Sequence, residues 1–218
     1  MPKSPRVVRR VRPPAGRPTP ERARLRHEEL LDEALEQFLE KGFVMTTIEA
    51  IAVAVGMTKR TVYSQYADKK ALFAATVQRA IERWIVPVEA LHALDCDDLE
   101  GTLKAVARIR MQNANSPDGL RLQRILNAES YRFPEIFALA YDQGTVPTVN
   151  FLADLLRRHA KAGTIRVRQP EIAALAFLSM VIGTPSRAMV WGDSVDEKLL
   201  KERVRICVGL FLNGVRMR

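Results

Sequence analysis

An all-α fold is what this sequence predicts, on three observations. From residue 21 to the C-terminus, apolar residues recur at helical spacing with charged residues between them. Capping residues and prolines stand where those runs begin, and glycines where they end. No alternating run reads as a strand, and no internal repeat is visible.

The elements follow in chain order. Residues 1–20 hold six prolines and no apolar period, which reads as a flexible, polyproline-leaning arm. Leu30, Leu31, Ala34, Leu35, Phe38 and Leu39 give the first helix its apolar face, and Gly42 its stop. Ile48, Ile51, Ala52 and Val55 mark a second helix, opened by Thr47 as N-cap and closed by Gly56. A third, short helix is expected from Lys59 to Tyr66, with Thr58 as N-cap and Val62 and Tyr66 facing inward. A fourth starts after Asp68 and carries Phe73, Val77, Ala80, Ile81 and Trp84 inward. Pro87 should end or kink it, because proline lacks the amide hydrogen and clashes with the preceding turn. Leu99 to Asn113 reads as the next helix, and Ser116-Pro117 opens another to about Tyr131. Phe133 to Gly163 holds one long or two abutting helices, with Gly144 and Pro147 as the break. Pro170 opens a strongly apolar helix, and Ser194 to Glu197 has the pattern of a capping box. The last helix repeats Leu200, Val204, Cys207, Val208, Phe211 and Val215.

With 218 residues, 47% hydrophobic and 27% charged, the composition is that of a globular chain, not a disordered one. The uncharged stretch from Ile172 to Ser186 spans 15 residues, short of the roughly 20 that cross a bilayer. No apolar segment follows the basic N-terminus, so no secretory signal is expected. Cys96 and Cys207 stand apart from each other and from any histidine pair, which argues for free thiols in a reducing cytoplasm and against a metal site. His27, His92 and His159 are scattered, and neither a phosphate-binding glycine loop nor a nucleophile elbow occurs. Catalysis, a metal and a cofactor are therefore not expected.

The net charge of +9 is unevenly placed. Nine basic residues face one acid within the first 26 positions, whereas the other 192 carry 25 basic and 24 acidic residues. An excess of that kind on one arm suits a polyanion. An anionic membrane is one such partner, but the arm has only three valines among its arginines and no amphipathic apolar face. That reading, a peripheral membrane protein, is set behind nucleic acid.

Between Thr47 and Tyr66, two short helices join at Gly56-Met57-Thr58, the spacing of a helix-turn-helix whose second helix enters the DNA major groove. An ordinary αα-corner has the same spacing. Three features favour the DNA reader. Val62 and Tyr66 take the inward side of the second helix, leaving Lys59, Arg60, Thr61, Tyr63, Ser64 and Gln65 on the others. That outward set contains no carboxylate. Lys69 and Lys70 then open the following helix, where backbone amides already favour an anion. Arginine pairs with guanine and glutamine with adenine through two hydrogen bonds, so Arg60 and Gln65 are the candidates for base contacts. Lys59, Tyr63, Thr47, Thr58 and Lys69 are candidates for phosphate.

Leu30-Leu31-x-x-Ala34-Leu35-x-x-Phe38-x3-Gly42, Thr46-Thr47-Ile48-x-x-Ile51-Ala52-x-Ala54-x-Gly56, Thr58-Lys59-x-Thr61-Val62-Tyr63 and Tyr66-x-x-Lys69-x-x-Leu72 together resemble the DNA-binding domain of TetR-family transcriptional regulators, over about residues 27–76. Ala128 to Glu135, Gly163 to Arg166 and the helix from Pro170 are similar to the AefR-like branch. The resemblance implies a flexible basic arm over 1–20, a three-helix DNA-binding domain over 21–67 and a helical inducer-binding and dimerisation domain over 68–218. Carried over by position, Lys59, Thr61, Tyr63 and Gln65 face the groove or its phosphates, and Thr47, Thr58 and Lys69 anchor the backbone. Arg60 stands where glycine is common and Gln65 where histidine is, so the operator sequence does not carry over. Glu33 and Gln37 depart from the usual alanine and leucine.

The resemblance further implies a ligand-responsive repressor that binds a palindromic double-stranded operator as a homodimer and is released by a small-molecule inducer. An activator, or a non-inducible DNA-binding protein of the same fold, is the alternative. Expected pocket walls are Trp84, Met111, Leu126, Tyr131, Phe137 and Tyr141, with Arg110 or Gln112 as polar groups. The helices at 170–190 and 195–213 are apolar over more than one face, and Phe177, Val181, Leu210 and Phe211 are the expected dimer contacts. In the arm, Arg12 and Arg17 reach either the minor groove or nearby phosphates. Deleting residues 2–19 should therefore flatten the slope of log affinity against log salt for DNA; an unchanged slope would remove the arm from the interface.

Overall fold

The computed structural model describes residues 19–183 and 197–216. The expectations for Arg12, Arg17 and Ser194 lie outside those residues.

Helix α1 (Pro20–Met45) opens on Thr19, whose hydroxyl accepts from the Arg22 amide. Its helical frame breaks at Gly42 (φ 74°, ψ 168°), a backbone region that glycine alone enters cheaply. The break lets the last turn swing round, where the buried Thr46 hydroxyl meets the carbonyls of Gln37 and Gly42 at 2.9 and 2.8 Å. Helices α2 (Ile48–Ala54) and α3 (Lys59–Tyr63) have Thr47 and Thr58 as N-caps, each accepting an amide hydrogen three residues on. Gly56 turns between them at φ 63°.

The third helix is shorter than its expected reach to Tyr66. Asp68 must be extended (φ −156°, ψ −179°) to cap α4 (Lys69–Trp84) through the Ala71 amide, so the helix unwinds over Ser64 and Gln65. Short α5 (Val88–His92), which the sequence pattern did not mark, buries Leu91. Helices α6 (Leu99–Ala114) and α7 (Pro117–Glu129) are capped by Asp98 and Ser116. The break foreseen at Gly144 and Pro147 is a π-helical turn, Tyr141–Thr145, between α8 (Pro134–Ala140) and α9 (Val146–Lys161). Helices α10 (Pro170–Ile182) and α11 (Glu197–Val215) complete the fold. Among the described residues there is no strand, only an isolated antiparallel bridge between Ile165 and Arg216.

Two cores form, and they do not split where the chain does. One joins α1–α4 to Leu122 and Ile125 of α7 and to Phe133, Ile136 and Ala140. The other joins α5, α6, α9, α10 and α11. Phe38, Phe43, Phe73 and Phe133 tie the first together, with ring centroids 4.7–6.0 Å apart. The second half of the chain is therefore bonded directly to the base of the N-terminal helices.

A Cβ at position 42 meets no steric obstacle nearer than 3.8 Å, so only the backbone angle penalises it. Gly42→Ala should then cost about 1–3 kcal/mol, read as a lower urea midpoint. An unchanged midpoint would show that the turn relaxes freely.

Candidate nucleic-acid interface

Helix α3 buries Val62 completely and leaves Lys59, Arg60, Thr61, Tyr63, Ser64 and Gln65 exposed. Helix α1 braces it from beneath. Arg26 donates to the carbonyls of Val55 and Gly56, at 3.2 and 3.1 Å, and so pins the turn. His27 stacks on Tyr66 and holds the far end of α3 through Gln65, with its Nδ1 2.9 Å from the Gln65 carbonyl oxygen. The Tyr66 hydroxyl lies 3.3 Å from the other nitrogen of the same ring.

Arg60 is the side chain of α3 that the fold leaves uncommitted: it is exposed and makes no hydrogen bond or ion pair with any described residue. Lys59 is paired. It meets Glu49 of α2 and lies over the Tyr63 ring, 5.5 Å from its centroid. The hydrogen bond from Lys59 holds the Glu49 carboxyl below its usual range, and the same bond pushes the Lys59 ammonium up. The outward set lacks a carboxylate of its own, but α2 supplies one. The Thr58 and Thr61 hydroxyls are 2.8 Å apart, and the Thr58 oxygen also accepts the Thr61 amide.

Two of the expected DNA contacts have partners within the protein. The Gln65 side-chain oxygen meets His27 Nδ1, so one of the two groups that would pair with adenine is shared with α1. Lys69 is not a free phosphate ligand. Its ammonium donates to the carbonyls of Phe43, Val44 and Thr46, at 2.8, 3.1 and 2.9 Å, and sits 4.6 Å from the Phe43 ring centroid. Its three hydrogens cap the last turn of α1, which would otherwise end in unpaired carbonyls.

A cleft of about 150 Å³, partly open to solvent, lies between α4, α7 and the π turn. Trp84, Leu126, Phe137 and Tyr141 line it, as the sequence suggested. So do Leu122, Gln123, Asn127, Thr145 and Ile182, which it did not single out. The signal was present on α7, where Gly119, Leu122, Gln123 and Leu126 share one helical face. Tyr131 is 100% exposed in the turn after α7, because α7 ends at Glu129 and the following Phe133 enters the core instead. Met111 is buried in the other core, and Gln112 is exposed. Arg110 is buried beside the cleft wall, with its guanidinium 5.1 Å from the Trp84 ring centroid.

The expected dimer contacts are also redistributed. Phe177, Val181 and Phe211 are buried within this chain's own core, and only Leu210, at 63% exposure, faces outward. Ile172, Leu175 and Met180 of α10 are also exposed, as are Leu199 and Ile206 of α11. No helix among the described residues is long and apolar enough to cross a membrane. No cluster of three or more metal-ligating side chains occurs among them either.

Residues 30–76 match the family model described as bacterial regulatory proteins, tetR family, and residues 101–214 match that of the AefR-like transcriptional repressor C-terminal domain. The transcriptional repressor Rv1474c of Mycobacterium tuberculosis is 24% identical over 88% of this chain and 93% of its own. The regulator TcmR of Streptomyces glaucescens is 30% identical, but the match spans only 49% of this chain and 51% of TcmR. Among solved structures, a TetR-family regulator from Mesorhizobium loti superposes with a TM-score of 0.74 at 24% identity, over 90% of this chain and 99% of that one. The flavonoid-responsive regulator FrrA superposes with a TM-score of 0.70 at 29% identity, over 89% and 98% of the two chains.

If Arg60 reads a base, Arg60→Ala should lower affinity for the selected site by about 1–3 kcal/mol while changing random-sequence affinity little, as measured by fluorescence anisotropy at fixed salt. Equal losses on both DNAs would make Arg60 a phosphate contact.

Proposed function

The chain belongs to the TetR family of transcriptional regulators, and from that premise we propose that it is a repressor that holds a palindromic operator as a homodimer and releases it when a small molecule enters the cleft beside Trp84. Residues 21–67 serve as the DNA-binding unit and 68–218 as the effector-binding and dimerisation unit, with the basic arm of 1–20 adding counterion release. The protein acts in the cytoplasm, where its operator is. The observation that carries the reading is the outward face of α3, where a cationic side chain has no partner among the described residues on a helix braced from both ends.

Each part has a physical role. Arg60 reads a base, and Thr61 and Tyr63 border the groove. Thr47 and Thr58, at helix N-termini, present their hydroxyls and the neighbouring amides to phosphate. Lys59 joins them once DNA competes with Glu49 for its ammonium. A second copy is needed because two half-sites about one helical turn apart must be read together. The exposed apolar side chains of α10 and α11, centred on Ile206 and Leu210, supply an isologous surface for it.

The effector's route to DNA runs through two helices. Trp84 stands at one end of α4 and Lys69, stapled to the end of α1, at the other. Gln123 and Leu126 line the cleft from α7, and one turn further Glu129 accepts the Phe43 amide at 3.0 Å. A ligand with higher affinity for one placement of these helices shifts the spacing of the paired α3 helices by that difference in affinity. The flavonoid response in the name of FrrA, together with the aromatic walls, favours a planar aromatic effector.

Selection of bound sequences from a random DNA pool by the full chain should enrich a two-fold-symmetric site, and light scattering should return a dimer. Leu210→Glu should yield a monomer whose operator affinity falls at least tenfold. Failure to enrich any sequence, or a monomeric wild-type protein that binds the site at full affinity, would overturn the proposal.

A further inference from the structure

Arg110, on α6, is only 1% exposed, yet its three guanidinium nitrogens have no hydrogen-bond partner among the described residues. Among the described residues no carboxylate pairs with it, and its guanidinium lies over the Trp84 ring. Burial pushes its pKa down to about 10, which still leaves it charged at neutral pH. A buried cation without a counter-charge is among the costliest arrangements a fold can hold.

The surroundings show the same deficit. Trp84 Nε1 is buried without an acceptor, and the buried Gln123 carbonyl oxygen lacks a donor. Both residues line the cleft. The indole fits its slot only because two neighbours are glycines. A Cβ on Gly119 would come within 2.8 Å of Nε1, and one on Gly144 within 2.7 Å of Cζ3. Trp84 therefore borders both the aromatic cleft and the unpaired Arg110, and its own donor has no acceptor among the described residues.

We infer that the cleft is built for a planar aromatic acid, whose ring packs against Phe137 and Tyr141 and whose carboxylate passes the edge of Trp84 to accept from Arg110 and Trp84 Nε1. The inference rests on the cleft being the effector site and adds the chemical class of the effector. A carboxylate suits the planar fork of arginine, which can give it two parallel hydrogen bonds. The charge that is costly in the empty protein becomes the group that selects the ligand. An uncharged isostere would leave Arg110 as it is found here.

Calorimetric titration of the full chain with 4-hydroxycinnamate and 2-naphthoate, each against its primary amide, tests this. The acids should bind at least tenfold tighter than the amides. In Arg110→Met that preference should vanish while the melting temperature of the ligand-free protein rises, because an unpaired buried charge has been removed. Arg110→Lys, which keeps the charge without the fork, should retain part of the preference. Equal binding of acid and amide to the wild type would overturn the anionic class yet leave the cleft as an effector site. Binding of none of the four would remove both. A lower melting temperature in Arg110→Met with the acid preference intact would make Arg110 a structural residue and overturn the assignment.

Discussion

A helix of five residues has no stability of its own, because forming its first turn fixes several residues for one hydrogen bond. Everything that α3 can do to DNA depends on how its neighbours hold it. Val62 is sunk beneath it, Arg26 grips the turn before it and His27 the residues after it. All three restraints lead to α1 or to the core that α1 builds, so the angle of α3 is an angle set by α1. The side chains left over are those that brace nothing, and Arg60 is foremost among them. The outward chemistry of α3 is thus defined by subtraction.

The same logic fixes how distant parts communicate. The end of α1 is shared property: Lys69 of α4 caps three of its carbonyls and Glu129 of α7 takes the Phe43 amide. Around it Phe43 packs against Phe38, Phe73 and Phe133, which come from three different stretches of chain. Close-packed rings of this kind transmit displacement instead of absorbing it. Arg79 and Arg83 of α4 also bind Asp32 on α1, and although burial works against the Asp32 carboxylate, these two hydrogen bonds hold its pKa below the usual range. A shift of α4 must therefore move α1 or break a set of charge-assisted bonds.

Much of this was legible in the sequence where the signal is local. Thr47, Thr58 and Ser116 cap helices through bonds three residues away, so residue type and spacing suffice to place them. What escaped involves partners far apart in the chain. Lysine at the head of α4 reads as a surface cation until the carbonyls of residues 43, 44 and 46 are seen around it. Gln65 reads as a base contact until His27 takes its carbonyl. Helix α10 failed for another reason: it is apolar on every side, so no stripe says which residues face inward. Phe177 and Val181 turned out to be core, and Ile172 and Leu175 surface. Tyr131 reads as a pocket wall by residue type, whereas Phe133, two residues on, takes the place in the core.

Where a fold departs from its own rules is where function is to be sought. Around α1 and α4 buried hydroxyls are answered, Thr46 by two carbonyls and Thr76 by the Leu72 carbonyl, and the half-buried Lys69 finds three acceptors. The unanswered groups gather instead about one indole, where Arg110, Trp84 and Gln123 account for five of the seven orphaned atoms among the described residues. A packing accident would scatter such defects, since each is selected against on its own. Their clustering beside a cleft, at a π-helical turn and between two glycines that admit no side chain, is what a site waiting for a polar guest would look like. The stability lost there is offset by the aromatic and charge-assisted packing around α1, so this half of the molecule can hold an unpaired cation while the other stays firm enough to read DNA.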